Sequence, residues 1–144
     1  MQTLKDQYER YLLEAEKARQ RAGLCDGLFG MGNDPRRASC HQDFYEYVGR
    51  WTADFLKSGP DAAACTAAVS WLLRVADRHR EQQDVFGYLY AAQGHGLELI
   101  ARMDRDSAKE LLCWYDRTYP KRDRMPVQDG VYKALKKASR TKLW

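Results

Sequence analysis

The sequence predicts an all-α fold, a single domain over residues 1–144 in which five to six helices form an irregular bundle built from antiparallel pairs. Three observations predict it. Apolar residues recur at spacings of three and four along six separate stretches, as on the buried stripe of an amphipathic helix. No stretch of useful length alternates apolar with polar residues as a half-buried strand does. The stretches are divided by short segments bearing Gly, Pro or Asp, which act as helix stops and starts and leave successive helices as neighbours.

The first stripe is Leu4, Tyr8, Tyr11, Leu12, Ala15, Ala18 and Ala22, a helix over residues 3–24. A glycine-punctuated segment from Cys25 to Asp34, with Gly27, Gly30 and Gly32, reads as the loop that ends it. Asn33 or Asp34 suits the cap and Pro35 the first position of a second helix over about 35–57, striped by His41, Phe44, Val48, Trp51 and Phe55. Ser58-Gly59-Pro60 stops that helix, and Pro60-Asp61 opens a third carrying Cys65, Ala68, Val69, Leu72, Val75, Ala76 and His79. After the polar turn at Arg78–Gln83, a fourth helix over about 84–103 places Phe86, Leu89, Tyr90, Leu97 and Ile100 in register, interrupted at Gly94-His95-Gly96. Glycines there cost about 1 kcal/mol each relative to alanine, and close helix packing is the reading preferred for them. Asp106-Ser107 starts a fifth helix faced by Ala108, Leu111, Leu112, Tyr115 and Tyr119. Past Pro120 and a charged connector, the last helix, about 127–139, aligns Val127, Val131, Leu135 and Ala138, and residues 139–144 read as a fraying tail. The expected core is Trp51, Trp71, Phe44, Phe55, Leu72, Phe86, Leu97 and Leu112.

Composition narrows the class. A 144-residue chain that is 44% apolar and 31% charged buries a core without needing disulfides or metal. None of the four cysteines lies in a CxxC pair, the start MQTLKDQYERY lacks the apolar core of a signal, and no apolar run reaches bilayer-spanning length. A cytoplasmic protein with reduced thiols and no membrane contact is the resulting expectation. The net charge of +4 is uneven, because residues 106–144 hold ten basic against five acidic residues. Such asymmetry suits an acidic partner.

Three sets of candidate residues follow. Asn33, Arg36 and Arg37 stand at a helix start, where backbone N–H groups and the helix dipole favour an anion. Cys40 in the second helical turn, His41 and His95 are the candidate nucleophile and proton-transfer groups. Cys40 and His41 project about 100° apart on a helix, so they do not share a metal readily, and no metal or cofactor is expected. The third set is basic: Arg117, Lys121, Arg122, Arg124, Lys133 and Lys137, interleaved with aromatic residues. Lys133, Lys136, Lys137 and Arg140 share one face of the last helix, opposite Val131, Leu135 and Ala138.

The sequence therefore favours a non-catalytic module that binds a macromolecule through an aromatic and basic surface, with an acidic protein surface and nucleic acid both open as partner. The alternative is a small helical enzyme acting on an anionic substrate, held by Arg36 and Arg37, with His41 or His95 as acid/base. Nothing in the sequence bears on oligomeric state.

Overall fold

A computed structural model describes residues 2–29, 35–78 and 94–140, and at 15, 18–29 and 35–42 it describes the backbone alone. Six α-helices and no strand occur among the described residues. They are α1 (Gln2–Phe29), α2 (Pro35–Lys57), α3 (Ala62–Arg78), the single turn α4 (Leu97–Ile100), α5 (Arg105–Thr118) and α6 (Pro126–Ser139). A 3-10 turn at Lys121–Asp123 joins the last two.

The helix boundaries follow local chemistry. Ser58 and Gly59 donate to carbonyls of the last turn of α2, and Gly59 takes the left-handed conformation at φ 69°, which glycine adopts without a Cβ penalty. Asp61 Oδ1 accepts from Ala64 N at 2.8 Å and so caps α3. Asp104 does the same for α5 by accepting from Ser107 N at 2.8 Å. Pro126 occupies the first position of α6, and the Met125 N–H donates to Gln128 Oε1 at 2.9 Å.

The buried side chains form one cluster. α3 is its spine, with Cys65, Ala68, Val69, Leu72, Leu73, Val75 and Ala76 all buried. α1 and α2 pack together through Tyr8, Tyr11 and Phe44, whose rings lie 5.6–5.7 Å apart. Tyr8 also meets Trp71 edge-on at 5.6 Å, which ties the first pair to α3. At the other end Leu99, Ile100, Ala108, Leu111, Tyr115, Val131, Leu135 and Ala138 close the core from α4, α5 and α6.

Four expectations are corrected. α1 continues as helix through Cys25-Asp26-Gly27 to Phe29, so the connector is shorter than the glycine pattern suggests. α5 begins at Arg105 under Asp104, not at Asp106-Ser107. Leu97 is 40% exposed while Leu99 and Ile100 are buried, because the turn at His95-Gly96 resets the helical phase. Among the described residues a Cβ at Gly94 would meet nothing within 4 Å, so the close packing expected there is not found at that glycine. Phe44 and Leu72 are buried and Trp51, Phe55, Trp71 and Leu112 are partly so, whereas Phe86 and His79 lie outside the described residues.

Candidate functional site

α6 is amphipathic by necessity. Val131, Leu135 and Ala138 enter the core, so positions 133, 136, 137 and 140 face outward. All four are cations, and Lys133, Lys136, Lys137 and Arg140 line one open hollow of about 520 Å³. Over seven residues at 1.5 Å rise the stripe runs roughly 10 Å along the helix. Lys133 Nζ pairs with Asp129 Oδ2 at 3.0 Å, one turn earlier on the exposed surface. That ammonium holds the Asp129 carboxyl below its ordinary range. Lys136 Nζ stands 5.9 Å from the Tyr132 ring. Among the described residues neither Lys136 nor Arg140 has a carboxylate within 4 Å. The stripe occupies the last two turns of α6, where the negative end of the helix dipole offsets part of the cationic repulsion.

The other basic candidates divide. Arg117, Lys121 and Arg122 are exposed, and Arg122 makes only a loose contact of 3.8 Å with the neighbouring Asp123. Arg124 is different: its side chain is 5% exposed and is taken up internally. Nε donates to the Tyr119 carbonyl at 2.9 Å, Nη2 to Asp116 at 3.0 Å, and the guanidinium lies 3.9 Å from the Tyr132 ring centre. Nη1 adds Asp129 at 3.6 Å. Arg124 thus fastens the 119–125 connector to α5 and α6 and offers little to a partner.

His95 is likewise an internal group. Its ring packs on Tyr45 at 4.6 Å and over Gly49, where a Cβ would come within 3.0 Å of Cε1 and 3.1 Å of Nε2. The imidazole is hydrogen-bonded to the Tyr45 main chain, Nε2 is buried without a partner, and burial lowers its proton affinity. Thr52 Oγ1, one turn beyond Gly49 on α2, is also buried without a partner. A half-buried neutral imidazole with its free nitrogen sealed from solvent is poorly placed to move protons. Along α2 the Cα of Arg37 is about 12 Å from that of Tyr45, the residue on which the His95 ring packs.

Arg36, Arg37, Cys40 and His41 lie in the first two turns of α2, with Pro35 as its first residue; their side chains, and Asn33 altogether, are outside the description. Among the described residues no group of three His, Cys, Asp or Glu side chains could hold a metal ion. Nor is any helix there long and apolar enough to cross a membrane. Gly49 is the site residue missed by sequence reading: a glycine inside a long helix carries the same cost as Gly94 and Gly96, and that cost was its signal.

No family model matches the chain, and no similar curated protein or solved structure is found. Function is argued from the geometry.

Proposed function

We propose that the protein is a non-catalytic binding module that docks nucleic acid along the outward face of α6. The observation that carries this reading is the stripe of Lys133, Lys136, Lys137 and Arg140 around one open hollow. A protein interface is organised on an apolar and aromatic centre. Here each of the four described lining side chains ends in a cation on an aliphatic stem, and no aromatic residue is among them, which matches a sugar-phosphate chain better than an acidic protein surface. Arg124 occupies one face of the Tyr132 ring and no aromatic residue is among the described lining of the hollow, so binding is expected to be indifferent to sequence.

The test is fluorescence anisotropy with labelled single- and double-stranded oligonucleotides across a salt series. Neutralising four phosphates gives a log–log slope of about −3 on single strands and about −3.6 on duplex. Lys136→Glu removes one of the four phosphate contacts and adds a repulsive carboxylate, so binding should weaken and the slope on duplex should fall by about 1. Absence of binding at low salt overturns the proposal, as does a slope unchanged in the variant. Binding of polyglutamate without binding of either oligonucleotide overturns it in favour of an acidic protein partner.

A further inference from the structure

A second hollow lies far from this stripe in kind: polar, small and lined by both signs of charge. α3 and α5 run side by side in the same direction, a register fixed by two contacts. At one end Thr66 Oγ1 donates to Asp104 Oδ2 at 3.4 Å. At the other the Arg74 guanidinium lies 5.2 Å from the Trp114 ring centre. Between them the helices leave a cleft of about 150 Å³, floored by buried Leu111. That is about the size of an engineered cavity that holds benzene. α3 lends it Thr66, Ser70 and Arg74 at successive turns, and α5 lends Ser107, Glu110 and Trp114.

The two charged side chains of this cleft, Arg74 and Glu110, are exposed to solvent. Arg74 Nε donates to Ser70 Oγ at 3.3 Å and the guanidinium lies 5.2 Å from the Trp114 ring centre. Among the described residues Arg74 has no carboxylate within 4 Å, and Glu110 has no cation within 4 Å, although both line the same hollow. We propose that this cleft binds a small zwitterion, a molecule with the ammonium and carboxylate of a free α-amino acid. The guanidinium accommodates the carboxylate as a planar fork and Glu110 accepts from the ammonium. A ligand with only one of the two charges leaves Arg74 or Glu110 unanswered, so discrimination is built into the pair.

The experiment titrates L-alanine into the ¹⁵N-labelled protein and follows the Trp114 indole N–H resonance, assigned by its disappearance in Trp114→Phe. Saturable movement of that resonance is expected in the millimolar range, as suits so few ligand atoms. N-acetylalanine lacks the cation and alaninamide the carboxylate; each should bind at least about tenfold more weakly. Arg74→Gln and Glu110→Gln, both exposed positions whose folding is checked by circular dichroism, should each weaken L-alanine by a similar factor. No saturable shift with L-alanine overturns the proposal. An affinity for either singly charged analogue equal to that for L-alanine does so too, as does binding that survives both substitutions.

Discussion

Arg124 is the residue whose role separates holding the fold from contacting a partner, and its removal can be weighed in advance. Arg124→Ala takes a charged donor from the Tyr119 carbonyl at 2.9 Å, worth about 1.5 kcal/mol for a hydrogen bond to an ionised group. It also removes a guanidinium 3.9 Å from the Tyr132 ring, worth about 1–2 kcal/mol when partly desolvated. Asp116 and Asp129 are 54% and 39% exposed, so on losing the guanidinium they regain water and add little. The expected loss is about 2.5–3.5 kcal/mol. With a urea dependence on the order of 2 kcal/mol per molar, the unfolding midpoint should fall by about 1.3–1.7 M. Arg124→Lys should recover only part of this, since an ammonium cannot serve a carbonyl, a carboxylate and a ring face together. Lys121→Ala and Arg122→Ala, on exposed side chains of the same connector, should stay within about 0.5 kcal/mol of the parent. Below its melting temperature Arg124→Ala should keep oligonucleotide binding. A midpoint unmoved by Arg124→Ala together with lost binding would refute the assignment of this side chain to the fold.

Gly49→Ala gains helix propensity of about 1 kcal/mol but drives a methyl to 3.0 Å from the His95 ring, so it should destabilise in an urea or thermal melt, and His95→Ala in the same chain should reverse the loss. Burial lowers the His95 pKa from its ordinary 6.5, so the unfolded chain takes up the proton first as pH falls. The stability contributed by neutral His95 is therefore complete above pH 6.5 and lost as pH drops below it towards the folded-state value. His95→Gln should flatten stability over that acid window relative to the parent; an identical pH profile in the two proteins would show that burial of this imidazole is not linked to folding.

What the sequence made legible is whatever depends on an unbroken stripe. Cys65, Ala68, Val69, Leu72, Val75 and Ala76 are six core residues of α3 in the order their spacing implies, and α6 follows through Val131, Leu135 and Ala138. The failures share a cause, competition between local signals of similar strength. Gly27 resembles a helix stop, yet α1 runs through it to Phe29. Asp104 and Asp106 both resemble caps, and Asp104 caps because the Ser107 N–H lies three residues on, within reach of its carboxylate. Leu97 fitted a stripe computed across Gly96, and the turn there turned it outward. Side-chain fate was the least legible: Arg122 and Arg124 stand two residues apart in one basic run, and only the spatial return of Asp116, Asp129 and Tyr132 buries the second. The cleft between α3 and α5 was invisible for the same reason, since Arg74 and Glu110 are 36 positions apart and each alone reads as a solvated surface charge.

The burial of Val131, Leu135 and Ala138 forces positions 133, 136, 137 and 140 outward, but it does not force them to be cations. Like charges at spacings of three and four on a helix are mutually destabilising by about 0.2–0.5 kcal/mol per pair. Lys133–Lys136, Lys133–Lys137, Lys136–Arg140 and Lys137–Arg140 are four such pairs, so the stripe costs on the order of 1–2 kcal/mol before the dipole and Asp129 offset some of it. A face selected for folding alone would alternate sign. Lys136→Glu makes that alternation: it turns two of the repulsive pairs attractive, against the loss of a distant contact with Tyr132 and an acid placed near a helix C-terminus. The balance should leave thermal stability unchanged or raised by up to about 1 kcal/mol, while oligonucleotide binding falls and its salt slope drops by about 1. Weaker binding by a fold of equal or greater stability cannot come from unfolding, and so isolates the cost of the stripe as one borne for a ligand. Destabilisation by more than about 1 kcal/mol in Lys136→Glu would instead show that the fold itself requires the cation at this position.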